Sequence, residues 1–220
     1  MADVIAIFPL SHVLLPGLPL PLHIFEPRYR QLLCDIRTDA SAGSFGVLAM
    51  RRGSEVGACD KTDVADVGTL AEIVEVEPGD DGTSDLLTIG SRRFQVDELL
   101  DGAPYLRARV TWLDEQDGDL RPSQVVVARR LFADITSMLR DLTGRERDEE
   151  LPRDANLLSY HLAGHLPISP ADRQALLAEP TTAARLSHLI TILRREIQLL
   201  QATSSVAIAP SVLRLVPHSN

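Results

Sequence analysis

Pro21-Leu22-His23-Ile24-Phe25-Glu26-Pro27-Arg28-Tyr29 carries the chain from a proline-broken extended segment into a helix, and the rest of the first half is ordered around that junction. Upstream, Pro16 precedes an apolar run from Leu18 to Phe25, and Pro19 and Pro21 interrupt it. Proline has no N–H to give a central ladder, so the expectation is an irregular edge strand or loop. Downstream, Pro27 suits a first helical position, where its missing N–H costs nothing, and Glu26 lies beside the positive end of the helix dipole. Tyr29, Leu32, Leu33 and Ile36 then mark one apolar helical face, predicting a helix that ends near Asp39.

Strands are predicted on both sides of this unit. Val4–Phe8 is a short apolar run, and Phe45–Met50 and Val67–Glu77 follow the helix. Pro78-Gly79-Asp80-Asp81-Gly82 is a turn cluster, from which Leu86–Ile89 and Arg93–Val96 return. Tyr105–Leu113 alternates as a half-buried strand. Asp114–Pro122, rich in Asp, Glu and Gly, reads as a linker. Beyond it the period becomes helical: Val125, Ala128, Leu131, Phe132, Ile135, Leu139 and Leu142 share a face that stops at Gly144. Ser169-Pro170-Ala171-Asp172 fits a capping box, and Leu186, Leu189, Ile190, Leu193, Ile197 and Leu200 form the clearest stripe. The expected division is a β part over residues 1–118, a helical bundle over 119–202 and a loose tail over 203–220.

Composition narrows the chemistry. Apolar residues make up 45% and charged residues 24%, an ordinary globular balance. A net charge of −9 argues against general nucleic-acid or anionic-membrane binding. No apolar run approaches the roughly 20 residues that span a bilayer, and no signal peptide is visible, so a cytoplasmic location is expected. Neither G-x-x-x-x-G-K-[ST] nor G-x-G-x-x-G occurs, which argues against nucleotide chemistry in these residues. Lys61 is the only lysine and lies in a polar stretch, where it would not be desolvated for a Ser–Lys dyad. Cys34 and Cys59 form no Cys-x-x-Cys pair, and Cys34 is placed on the apolar-rich face of its helix, where thiols are inert. His161 and His165 share a helical face but lack the intervening glutamate of H-E-x-x-H; they read as helix-end histidines beside the C-terminal dipole. His12 and His23 read as structural. The acidic runs Glu55, Asp60, Asp63, Asp66 and Asp80, Asp81 read as solvated surface. No catalytic residue, cofactor or metal is expected.

Val13–Leu22 packs many apolar side chains into a segment too proline-rich for a regular ladder. Either it wraps the core or it offers a donor-poor apolar surface, and Leu14, Leu15, Leu18 and Leu20 are the candidate polypeptide-binding residues.

The block quoted first belongs to a longer series: Phe8-Pro9-Leu10, Leu15-Pro16-Gly17, Phe45-Gly46-Val47, Val67-Gly68-Thr69-Leu70-Ala71-Glu72-Ile73, Gly90-Ser91-Arg92-Arg93-Phe94 and Tyr105-Leu106. In order and spacing over roughly Asp3–Leu200 this series resembles the N-terminal, substrate-binding domain of Lon proteases. The resemblance implies an α+β fold: a PUA-like, mostly antiparallel β pseudo-barrel with one helix, then a helical bundle. The motif residues expected to be structural are Pro21, Phe25, Glu26, Arg28, Tyr29, Gly68, Gly90 and Phe94. Phe25, Phe45 and Phe94 are expected as core anchors, Gly68 and Gly90 as tight strand turns, and Glu26 and Arg28 as a pair with each other or with Arg30 or Arg93. The implied function is non-catalytic recognition of unfolded or tagged polypeptides, or of a protein partner, as an adaptor in protein quality control, with a homo-oligomer compatible. The ATPase and Ser–Lys peptidase domains that follow in full-length Lon are expected to be missing. Two alternatives are RNA binding through Arg92, Arg93, Arg107 and Arg109, and a vestigial peptidase-associated protein dependent on Lys61.

Overall fold

The structure, a computed structural model, describes residues 3–38, 43–51, 64–100, 102–143 and 150–207. Its strands are β1 Asp3–Leu10, β2 Pro19–Ile24, β3 Ser44–Ala49, β4 Val67–Pro78, β5 Ser84–Leu100 and β6 Leu106–Leu113. Its helices are α1 Pro27–Thr38, α2 Pro122–Thr143, α3 Ala155–His165, α4 Pro170–Ala178 and α5 Thr182–Ala207. The final helix thus carries on past Ala202 to Ala207.

The strands form one sheet in the order β2-β5-β4-β3-β1-β6, and β5 pairs with β6 as well. All described pairings are antiparallel except β1 with β3, which the crossover through β2 and α1 makes parallel. β5 is the hinge of this arrangement. Ser84–Gln95 pairs with β4, while Arg93–Leu100 pairs with β6, so β4, β3, β1, β6 and β5 return on themselves. β2 hangs outside that ring on β5, and register shifts interrupt both long pairings. The molecule is a mixed α/β fold, mostly antiparallel as expected, whose sheet is not a clean barrel.

The turn before β5 forms as its residues demand. The Gly79 N–H donates to the Thr83 carbonyl at 2.9 Å, and Gly82 takes a left-handed φ of 79°. Gly68 and Gly90 are not turns, contrary to expectation; they lie inside β4 and β5. A Cβ on Gly68 would come within 2.5 Å of the Val47 carbonyl oxygen, and one on Gly90 within 2.4 Å of that of Leu15. Both are places where another backbone passes too close for any side chain. For that reason Leu86–Ile89 and Arg93–Val96 are one continuous strand.

Three apolar clusters hold the molecule. Phe45, Val47, Ala71 and Leu86 pack against Tyr29, Leu32, Leu33 and Ile36 of α1. Phe94 lies with Ile7, Leu48, Ala108 and Val110 inside the ring. Ala128, Phe132 and Ile135 of α2 meet Leu186, Leu189, Ile190 and Leu193 of α5, the predicted stripes, in the helical core. Leu15 and Val67 belong to that helical cluster and so tie sheet to helices. The capping box forms at α4: the Asp172 N–H donates to Ser169 Oγ at 3.0 Å.

The segment read as a linker is bound down. Glu115 accepts from Arg93 Nε at 2.6 Å, from Arg185 at 3.1 Å and from the Tyr160 hydroxyl at 2.9 Å. Arg93 also donates to the Leu177 and Glu179 carbonyls, and Arg185 lies 3.8 Å over the Tyr160 ring. One carboxylate joins β5, α3 and α5. Burial draws the Arg185 guanidinium below its ordinary value and drives the Tyr160 phenol well up.

Candidate functional site

Where β2 runs into α1, the Pro21–Tyr29 block closes one side of a pocket of about 190 Å³, lined by Phe8, Leu10, Pro21, Leu22, His23, Phe25, Glu26 and Tyr29. The Phe8 and Tyr29 rings stack with centroids 4.0 Å apart, and Phe45 lies behind Phe8 at 5.8 Å. Arg28 covers the Tyr29 ring at 4.4 Å and holds Glu26 Oε2 at 3.0 Å, as expected for that pair. Both interactions hold the start of α1 in place beside the pocket. On the rim, His23 bonds Asp85 at 2.7 Å and stacks on Phe25, centroids 6.0 Å apart.

Phe25 was expected in the core and is instead 48% exposed. Water at an exposed aromatic ring is readily displaced. Tyr29 and Phe94 are buried as expected.

Leu14 and Leu15, expected as binding residues, are buried, Leu15 to 0% exposure. They point to opposite clusters, Leu14 to the α1 core and Leu15 to the helical core, so neither is available to a partner. Leu18 and Leu20 are half-buried, Leu18 against the helical core and Leu20 against the α1 cluster. The proline-rich segment therefore wraps the core. Phe8, Leu10, Leu22 and His23 line this pocket and were not among the candidates. Phe8, Leu10, Leu22 and His23 stood in the quoted motifs, but that β1 faces the start of α1 is a tertiary fact.

β2 is a free edge among the described strands, yet it cannot readily take another strand. The Gly90 N–H donates to the Leu18 carbonyl at 3.0 Å, which sets the phase of the β2–β5 pairing. By alternation Leu20, Leu22 and Ile24 turn their backbone to β5, and Pro19, Pro21 and His23 turn theirs outward. Two of those three outward positions have no N–H, so the edge is short of donors.

Cys34 is exposed on α1 and not on its apolar face. The His161 and His165 rings stack at 4.2 Å, and His165 Nδ1 donates to the His161 carbonyl at 2.8 Å. Among the described residues no group of three or more His, Cys, Asp or Glu is placed to hold a metal. The predicted basic patch is dispersed: Arg93 is buried, Arg92 lies against Asp114 and Trp112, and Arg109 bonds Glu98. Lys61, Cys59, Glu55, Asp60 and Asp63 lie outside the described residues. No described helix is long and apolar enough to cross a membrane.

Comparison with known proteins agrees with this architecture. The family model of the ATP-dependent protease La (LON) substrate-binding domain matches residues 4–195. Lon protease 2 of Syntrophobacter fumaroxidans is 28% identical over 94% of this chain, and Lon protease of Parabacteroides distasonis is 30% identical, also over 94%. The chain spans about a quarter of the length of each, 26% and 25%. A crystal structure of a Lon N-terminal domain protein from Xanthomonas campestris superposes with a TM-score of 0.65 at 29% identity, covering 86% of this chain and 98% of that one. The N-terminal domain of a Mycobacterium avium complex Lon protease shares the fold at a TM-score of 0.60 and 17% identity, covering 87% and 98%. This chain belongs to the family of the Lon protease substrate-binding domain.

Proposed function

We propose that the chain is a non-catalytic polypeptide-recognition module that takes an apolar client side chain into the pocket between Phe8, Leu22 and Tyr29, with Phe25 as the contact at its rim. The observation that carries this reading is Phe25, held out at 48% exposure beside stacked aromatic rings. A pre-formed apolar cleft with an exposed aromatic ring at its rim has the usual form of a binding site. The donor-poor edge of β2 favours side-chain capture over strand addition. The family's description as substrate-binding supports the same class of partner. An adaptor role in cytoplasmic protein quality control, a PUA-like fold for the β part, and a division into a β subdomain over 1–118 and a helical-bundle subdomain from 119 belong to this proposal.

Capture of a chemically unfolded, fluorescently labelled protein tests it. Phe25→Asp removes exposed aromatic area without touching the core, so circular dichroism should be unchanged and capture about tenfold weaker. Undiminished capture by the folded variant would remove this pocket from consideration.

A further inference from the structure

The register of β4, β5 and β2 places side chains in rows on the outward face of the sheet. Glu72 lies across from Ile89, and Ile89 across from Pro19. The next row is Glu75, Leu87 and Pro21, and the third is Glu77, Asp85 and His23. The rows are roughly 6.7 Å apart, two residues along each strand. Down the middle and outer columns run Ile89, Leu87, Pro19 and Pro21; down the inner column run three glutamates. All three glutamates are exposed, and none forms an ion pair with a described residue. Ile89 is 40% exposed, and Val74, the extra residue at the register shift between Ile73 and Glu75, is 58% exposed. Pro21 and His23 also line the pocket below Phe25, so this face and the pocket meet at the β2 edge.

We infer that the outward face of β4, β5 and β2 docks extended polypeptide segments that alternate apolar with basic residues. The inference rests on the polypeptide-recognition reading and names its client class. A client strand set edge-on between the two columns carries alternate side chains to either side, the apolar ones to Ile89 and Leu87 and the lysines or arginines to Glu72, Glu75 and Glu77. An acidic segment on the same rows would set like charges together, which discriminates against it. The prolines of β2 block the edge, so a client lies across the face and does not extend the sheet.

Fluorescence anisotropy with three labelled peptides of about twelve residues, alternating leucine with lysine, glutamate or serine, tests this. The Leu/Lys peptide is expected to bind about tenfold more tightly than the Leu/Glu peptide at low salt, and most of that advantage to vanish in high salt. In the variant Glu72→Lys/Glu75→Lys/Glu77→Lys the order should reverse. A control with Asp119→Lys/Asp134→Lys/Glu150→Lys, which changes net charge equally on the other half, should keep the wild-type order. Equal affinity of wild type for the charged peptides, with all binding still weakened by Phe25→Asp, overturns this inference and leaves polypeptide recognition standing. If the control reverses the order as fully as the Glu72/Glu75/Glu77 variant, net charge and not this face sets the preference, and the inference also fails. If none of the three peptides binds, both readings fail.

Discussion

Two guanidiniums, those of Arg93 and Arg185, share the carboxylate of Glu115 with side chains 1% and 0% exposed. Coulomb attraction at this depth is strong, but so is the cost of desolvating each ion, and the pairing is worth most when one considers its loss. Glu115→Ala would leave two buried cations without their anion, and a destabilisation of about 3–5 kcal/mol is expected in urea unfolding. Glu98→Ala, which breaks the exposed pair with Arg109, should barely move the midpoint. If the two variants unfold alike, Glu115 does not hold β5 to α3 and α5. None of this was legible locally: Glu115 stands among acidic residues and glycine, and its partners lie 22, 45 and 70 positions away. The glycines at 68 and 90 were read as tight strand turns, because the backbone that passes over each is a tertiary fact.

Elements with a strong period were read well, because a single buried face imposes that period on the residues. The stripes of α1, α2 and α5, the capping box of α4 and the β4–β5 turn all form where their residues place them. The proline-rich segment was harder, since its apolar residues alternate between two cores and follow neither helical nor strand spacing. At α4 the cap has a pH signature. The Arg195 hydrogen bond, then the Ser169 hydroxyl, hold the Asp172 carboxyl below its ordinary value. A carboxylate with a depressed folded pKa stabilises fully above its unfolded value of about 3.9 and loses that contribution as pH falls through the folded one. The melting temperature of wild type should therefore exceed that of Asp172→Asn at pH 6, and the gap should narrow below about pH 4. A gap that stays constant down to pH 2 would show that the Asp172 charge contributes nothing to the fold.

On the scale of the whole molecule, the sheet and the helical layer share Leu15, Val67 and the Glu115 cluster, while the Pro21–Tyr29 block borders its pocket where β2 runs into α1. On the proposed reading, one end of the proline-rich segment serves internal packing and the other meets a partner. The family was legible from motifs spread along the chain, whereas the binding surface was not: burial removed Leu14 and Leu15, and exposure promoted Phe25. Backbone and methyl NMR shifts of the labelled chain, titrated with an unfolded client, test polypeptide recognition at this surface most directly. Perturbations should concentrate on Phe8, Leu22, Phe25, Leu87 and Ile89 and be lost in Phe25→Asp; perturbations confined to α2–α5, or none at saturating client, would contradict the account.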